Sequence, residues 1–343
     1  LWSKEVFAMA HDELVRCPEC GELVSRRDFL KDTAATAALL ACASHAAPKG
    51  ASAAAPKKSG ESLVKELYRS LTKEQRKILV LPWDDPRRKR VSPNWEIVDL
   101  PIRDVLNKEQ QQLVVEIVRS ITSEDGFERI MRQMKDDWGG LTRYTCAIFG
   151  DPESGKFEWE LTGRHATLRC DGDSVEGTAF GGPIVYGHAP QFNEKPGHPG
   201  NVFWYQAVRA NQVFQALDGK QRKRALLPKA PPETQVQIRR HAKERPGLPV
   251  AELSADQKEL VLQVIHDILL PYREKDRQEA LATIEAGGGV DALHIAFYQQ
   301  GDIGNDKVWD IWRIEGPTAV FHFRGAPHIH AYINVAVKDV LGS

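Results

Sequence analysis

Apolar residues in the second half of the chain recur at the spacing of a helical turn and later switch to alternation. Leu260, Val261, Val264, Ile265, Ile268 and Leu269 form one stripe, the pattern of an amphipathic helix packed on a core. Ahead of it stands Leu253-Ser254-Ala255-Asp256-Gln257, where the serine caps exposed N–H groups and the glutamine three positions on reaches back. Near the end of the chain the period becomes two. Ile329, Ala331, Ile333 and Val335 make one apolar face of a strand, and His328, His330, Tyr332 and Asn334 make the other, which the alternation assigns to solvent.

The capping turn recurs. Leu71-Thr72-Lys73-Glu74-Gln75-Arg76 returns as Leu217-Asp218-Gly219-Lys220-Gln221-Arg222, 146 positions later. Leu106-Asn107-Lys108-Glu109-Gln110, followed by Leu113-Val114, returns as Leu253 to Gln257 followed by Leu260-Val261, 147 positions later. Each set leads into a hairpin pattern: Tyr144 to Phe149, a Gly-Asp-Pro turn, then Phe157 to Cys170, against His294 to Gln299, a Gly-Asp loop, then Trp309 to Phe323. Trp159, Leu161 and Gly163 align with Trp312, Ile314 and Gly316. These repeats predict an α+β fold of two duplicated halves, 61–205 and 206–343. Each half holds helices and antiparallel hairpins, packed as one pseudo-twofold unit with helices on one face.

Composition narrows the partners. With 343 residues, 42% of them hydrophobic, the chain has material for a sizeable core. Its 46 basic and 47 acidic residues leave a net charge of -1, which gives no field to draw in nucleic acid or an anionic membrane. No apolar run reaches the roughly 18 residues of a membrane-spanning helix.

The first 46 residues read as a leader. Ser25-Arg26-Arg27-Asp28-Phe29-Leu30-Lys31, an apolar run over residues 33–47 and a small-x-small site at Ser44-His45-Ala46 form a twin-arginine export signal, with Met9 as its natural start. The expected partner is the twin-arginine export machinery, and the expected destination is the periplasm or the exterior, with the mature chain starting near Ala47. Residues 47–60, rich in Ala, Lys, Pro and Ser, read as a flexible tether. Leu39-Leu40-Ala41-Cys42 partly resembles a lipoprotein site, but its middle leucine disfavours lipidation of Cys42, so soluble release is expected. Cys17-Pro18-Glu19-Cys20 is half of a zinc ribbon with no second pair. In the body, hairpin pairing about Pro152 sets Cys146 opposite Leu161, not Cys170, which argues against a disulfide.

Several segments, taken in order, resemble the domain-of-unknown-function 3500 family over roughly residues 60–335. They are Trp159-x-x-x-Gly163-Arg164-His165, Pro183-x-x-Tyr186-Gly187-x-x-Pro190, the Gln221-Arg222 helix entry, and Arg313-Ile314-x-Gly316-Pro317 leading to His328-Ile329-His330. The resemblance implies an architecture and candidate positions but no reaction. Where the family carries Gly-His-His this chain has Gly163-Arg164-His165, so only His165 carries over.

The candidate chemistry lies in histidines. His328 and His330, two apart on a strand, project to one side and reach one metal ion together. A pseudo-twofold axis brings His165 toward them as a third ligand, although alternation sets it on the face of Trp159 and Leu161 unless Gly163 marks a bulge. Imidazoles suit a transition metal such as zinc, copper or iron. His188 and His198, in Gly/Pro-rich segments, and Tyr332 and Asn334 beside the pair are candidate binding residues for a small-molecule ligand. His241 and His266 read as surface positions, and His294 and His322 as structural ones. A second reading is a non-catalytic ligand-binding or scaffold protein of the cell envelope, with Trp138, Trp159, Trp204, Trp309 and Trp312 lining a groove. No Gly-x-Ser-x-Gly elbow, phosphate-binding loop, dinucleotide fingerprint or His-Glu-x-x-His is present, which removes serine hydrolase, NTPase and dehydrogenase readings.

Overall fold

A computed structural model of the protein describes residues 14–16, 23–25, 58–190, 202–300, 309–338 and 341. Arg26, Arg27, residues 47–57 of the expected tether and His198 lie outside the described residues, and the tether ends sooner than expected, because Ser59 caps the first helix and Gly60 opens it. The helices are α1 (Gly60–Ser70), α2 (Lys73–Leu79), α3 (Ile102–Val105), α4 (Lys108–Ile121), α5 (Glu124–Trp138), α6 (Trp204–Ala216), α7 (Gly219–Ala225), α8 (Ala255–Leu269) and α9 (Glu274–Ala286). Strands β1 (Leu14–Arg16) and β2 (Leu23–Ser25) form a small separate hairpin. The main sheet comprises β3 (Val80–Leu81), β4 (Thr145–Asp151), β5 (Lys156–Gly163), β6 (Ala166–Cys170), β7 (Ile184–His188), β8 (Leu226–Leu227), β9 (Leu248–Pro249), β10 (His294–Tyr298), β11 (Ile311–Glu315), β12 (Ala319–Arg324) and β13 (Ile329–Val335). The fold is α+β.

All four capping turns form as reciprocal capping boxes, at Thr72/Gln75, Asn107/Gln110, Asp218/Gln221 and Ser254/Gln257. The glutamines also interlock within each half: Gln75 Nε2 donates to Gln110 Oε1 at 2.8 Å, and Gln257 Nε2 to Gln221 Oε1 at 2.9 Å. One amide therefore satisfies its own helix start and ties two helix entries together.

The sheet order is β3-β4-β5-β6-β7-β13-β12-β11-β10-β8, with β9 paired to β10. Its neighbours run antiparallel except for the short parallel pairs β3/β4 and β8/β10. Read outward from the central β7/β13 pair, each side places three long antiparallel strands and then a two-residue parallel edge. Trp159 and Trp312 are fully buried at matching places in β5 and β11. Gly163 and Gly316 make room for the residue that precedes each half's first long strand: an added Cβ would lie 2.3 Å from the Tyr144 ring and 2.5 Å from Leu293 Cδ2. Gly163 thus marks a close approach and not a bulge. Cys146 pairs with Leu161, and both body cysteines are free thiols.

Helices cover one face. Val261, Val264, Ile265, Ile268 and Leu269 of α8 share a core with Ile184 and Tyr186 of β7 and with Ile329, Ala331, Ile333 and Val335 of β13. The opposite face departs from expectation. His328, His330, Tyr332 and Asn334 are fully buried, not solvated. Two extended crossing segments, residues 82–99 and 228–247, lie over that face: Val236 and Ile238 pack on Val185, Val320 and Tyr332, and the Trp95 indole donates to Thr167 Oγ1 at 3.0 Å. Alternation reports which side chains share a face but not whether irregular chain covers it.

Covering a polar face buries charge, which then must be paired. Arg169 is gripped by Glu158 and Glu160 of β5 and donates to the Pro183 carbonyl at 2.7 Å, while Arg88 reaches Glu158 at 3.0 Å. Burial, partly offset by Arg169, holds the Glu160 carboxyl well above its usual range. After β6 the chain turns through Asp171, whose pKa burial pushes up to about 7. A carboxyl raised in this way binds its proton more tightly when folded, so it stabilises below about pH 4 and loses that contribution as pH rises toward 7. Asp171→Asn is therefore expected to raise the melting temperature at pH 8 but not at pH 4, checked by thermal melts at both values.

Candidate metal centre

His165 occupies the tight turn between β5 and β6, where Gly163 pairs with Ala166 and only Arg164 and His165 lie between. Its backbone is left-handed, φ 55°, and its N–H donates to the Pro93 carbonyl at 2.6 Å. This conformation, not a bulge, frees the ring from the face that alternation assigns it. The ring meets His328 and His330 with centroid separations of 4.9 Å to each, and those two rings lie 4.8 Å apart. Gly187, opposite His330 in the register, leaves the space. A Cβ there would stand 2.1 Å from the Ile329 carbonyl oxygen and 3.3 Å from His165 Cβ.

One ring nitrogen from each histidine lies within 4.8 Å of the others, and all three residues are buried. His328 Nε2 and His330 Nε2 are 3.0 Å apart. Tetrahedral zinc, with nitrogen bonds of roughly 2.0–2.1 Å, sets neighbouring donors about 3.3 Å apart. The cluster is therefore close enough to hold a metal ion with small adjustments.

A carboxylate backs a histidine from each side. His165 Nδ1 lies 2.7 Å from Asp137 Oδ2, and His330 Nδ1 lies 2.8 Å from Glu233 Oε2. With Nδ1–H donating to a carboxylate, Nε2 carries the lone pair and faces the cluster, the tautomer in which carboxylates orient metal-binding histidines. His165 Nε2 is buried with no hydrogen-bond partner. Burial, reinforced by Arg324 and the neighbouring His165, lowers the His330 pKa well below its usual value, so its lone pair stays available at neutral pH. Burial alone would raise the Asp137 carboxyl, yet His165, His188 and the Ala189 N–H, at 3.0 Å from Oδ1, together hold it below its usual range. Glu233 also accepts from Tyr332 Oη at 2.9 Å and pairs with Arg324 at 3.2 Å.

The other expected residues divide. Tyr332 bonds Glu233, and Asn334 Nδ2 donates to the Val236 carbonyl at 2.8 Å, so both anchor the segment that carries Glu233. His188 ends strand β7 and does not sit in a loop; its Nε2 lies 3.3 Å from Asp136 Oδ2. His322 is buried against Arg313, and His241 and His266 are exposed. Trp159, Trp204 and Trp312 are buried, while Trp138 and Trp309 pack on the same core, so the five are placed as core residues.

Asp137 and Glu233 escaped the reading of the sequence. A signal for Asp137 was present: Phe127, Ile130 and Met134 form the buried stripe of α5, and Asp137 falls next on it. Glu233, in a Pro-Pro-Glu-Thr segment without periodicity, gave none.

The family described as protein of unknown function (DUF3500) matches residues 53–338, and the chain belongs to it. No curated protein and no solved structure matches the chain.

Proposed function

For a member of a family whose description assigns no activity, the reading must come from the site itself, and we propose that this is an exported protein that binds a transition metal through His165, His328 and His330. The observation that carries the reading is the orphaned Nε2 of His165, held beside the His328/His330 pair by Asp137 in the buried interior. A buried imidazole nitrogen with no partner is costly, and a cation shared with two other imidazoles removes that cost. Asp137 and Glu233 orient two of the ligands and supply the compensating negative charge. Zinc, copper and iron all suit the donor set.

Metal analysis of untagged protein tests this directly. Close to one equivalent of a transition metal is expected, with a rise in melting temperature on reconstitution of stripped protein, because an ion bound only by the folded chain stabilises it. Less than about a tenth of an equivalent, with no gain on reconstitution, would overturn the reading.

Export rests on the Arg26-Arg27 segment and its apolar run. The twin-arginine route carries folded proteins, which suits an ion loaded before export. Replacing both arginines with lysine is expected to hold the precursor in the cytoplasm with its body folded, since a receptor reads the pair. Fractionation that finds this variant exported normally would refute the assignment. The recurrence of capping boxes and strand order in both halves supports a duplication near residue 205, and superposition of 61–205 on 206–335 checks it.

A further inference from the structure

An open groove lies at the end of the sheet away from the histidines. Its volume is about 680 Å3, within the roughly 300–1,000 Å3 of small-molecule sites. Lys156, which lines it, opens β5, and Val337, which also lines it, follows the end of β13. Each stands about seven strand steps, roughly 23 Å, from the histidine end of its strand. The apolar part of the lining is Trp83, Val175 and Val337. Of the two large apolar side chains that stand open among the described residues, Val337 is the more exposed, at 50%. Its backbone is pinned on both sides: the N–H donates to the Gly177 carbonyl at 2.7 Å and the carbonyl accepts from Arg240. A patch already held in place loses little further freedom when a ligand covers it.

The charged residues lining the groove are Arg88, Lys89, Lys156 and Lys338 against Glu176 alone. Arg88 is committed, since it donates to Glu158 and to the Trp83 carbonyl, each at 3.0 Å. Lys156 and Lys338 differ from it. Both are exposed, and neither ammonium has a hydrogen bond or ion pair among the described residues. The Lys156 ammonium stands 5.0 Å from the centroid of the Trp83 ring, whose face draws a cation without occupying its N–H donors. We propose that this groove binds a small molecule with an apolar body and one anionic group, the body lying on Val175, Val337 and Trp83 and the anion facing Lys156 and Lys338. An ammonium is a point charge, so the site selects negative charge and an apolar body, not the shape of the anion.

The test uses the full chain, both stripped of metal and metal-loaded, with 4-fluorophenylacetate as probe and 4-fluorophenylacetamide as its neutral counterpart, read by fluorine NMR. Saturable binding of the acid is expected in both forms, with the amide weaker by about 5- to 10-fold, the size of two or three exposed ion pairs. The double variant Lys156→Gln, Lys338→Gln is expected to bind the acid only as well as the amide and to lose the salt dependence of the acid. Both positions are exposed, so its melting temperature is expected to match the parent's. Glu176→Gln removes the one opposing charge and is expected to strengthen the acid about 2- to 3-fold. Val337→Ser is expected to weaken acid and amide alike, by about 3-fold. No saturable binding of the acid, equal binding of the amide, or parent-like binding by the double lysine variant would each overturn the proposal. Binding to the metal-loaded form alone would place the acid on the metal and overturn it as well. Failure of the metal reading leaves the results on stripped protein unaffected.

Discussion

His330→Ala is expected to purify with under about a tenth of the parent's metal and to be less stable by about 2–5 kcal/mol. Both losses follow from burial. The ring is fully enclosed, so truncation opens a cavity, and Glu233 loses a donor inside the protein. His165→Ala and His328→Ala are expected to behave alike. Because such variants risk failing to fold, Glu233→Gln serves as the gentler probe: it still accepts from His330 Nδ1 but carries no charge, and a roughly 10- to 100-fold loss of metal affinity is expected with the fold retained. Metal analysis and thermal melts on the four variants check this. Equal metal content in all four and the parent would sink the site, and metal loss in His328→Ala and His330→Ala alone would remove His165 from it.

Arg169→Met should be among the most damaging single changes in the protein, costing about 3–5 kcal/mol, because it leaves Glu158 and Glu160 buried without their shared cation. Arg88 still reaches Glu158, so Glu160 carries most of the loss. The triple variant Arg169→Met, Glu158→Gln, Glu160→Gln is expected to recover much of the stability, since a buried ion cluster replaced as a whole often costs little. Denaturant titration distinguishes the cases. Arg169→Met unfolding at the parent's midpoint would show the cluster to be energetically idle.

The parts that were legible in the sequence are those with a local period or a local chemistry. Capping boxes need only a short polar residue and a glutamine three positions on, and all four formed. Alternation in 328–335 correctly grouped His328, His330, Tyr332 and Asn334 on one face, and His165 does lie beside the two histidines. What failed was the inference from polarity to exposure. Glu158 and Glu160, two apart on β5, carry the same signature as a solvated strand, yet both are fully buried because residues 82–99 lie over them. The covering segments have no period, so nothing in their sequence announces which face they protect. The left-handed backbone at His165 was likewise invisible, since a tight turn sets it through the pairing of Gly163 with Ala166.

The order of strands has a consequence for synthesis. β13 lies at the centre of the sheet, where Ile329 pairs with His188 across 141 positions of chain, yet every other strand leaves the ribosome before it. Until it arrives, β3 to β7 and β8 to β12 are two part-sheets that touch through their helices but have no strand between them, each ending in an unpaired strand. Closing contacts of such long range are slow, and open strand edges invite association with other chains. The nascent protein is therefore most exposed to aggregation just before residues 329–335 are made, and a chain released at that point would carry two open strand edges where the finished fold has the centre of its sheet.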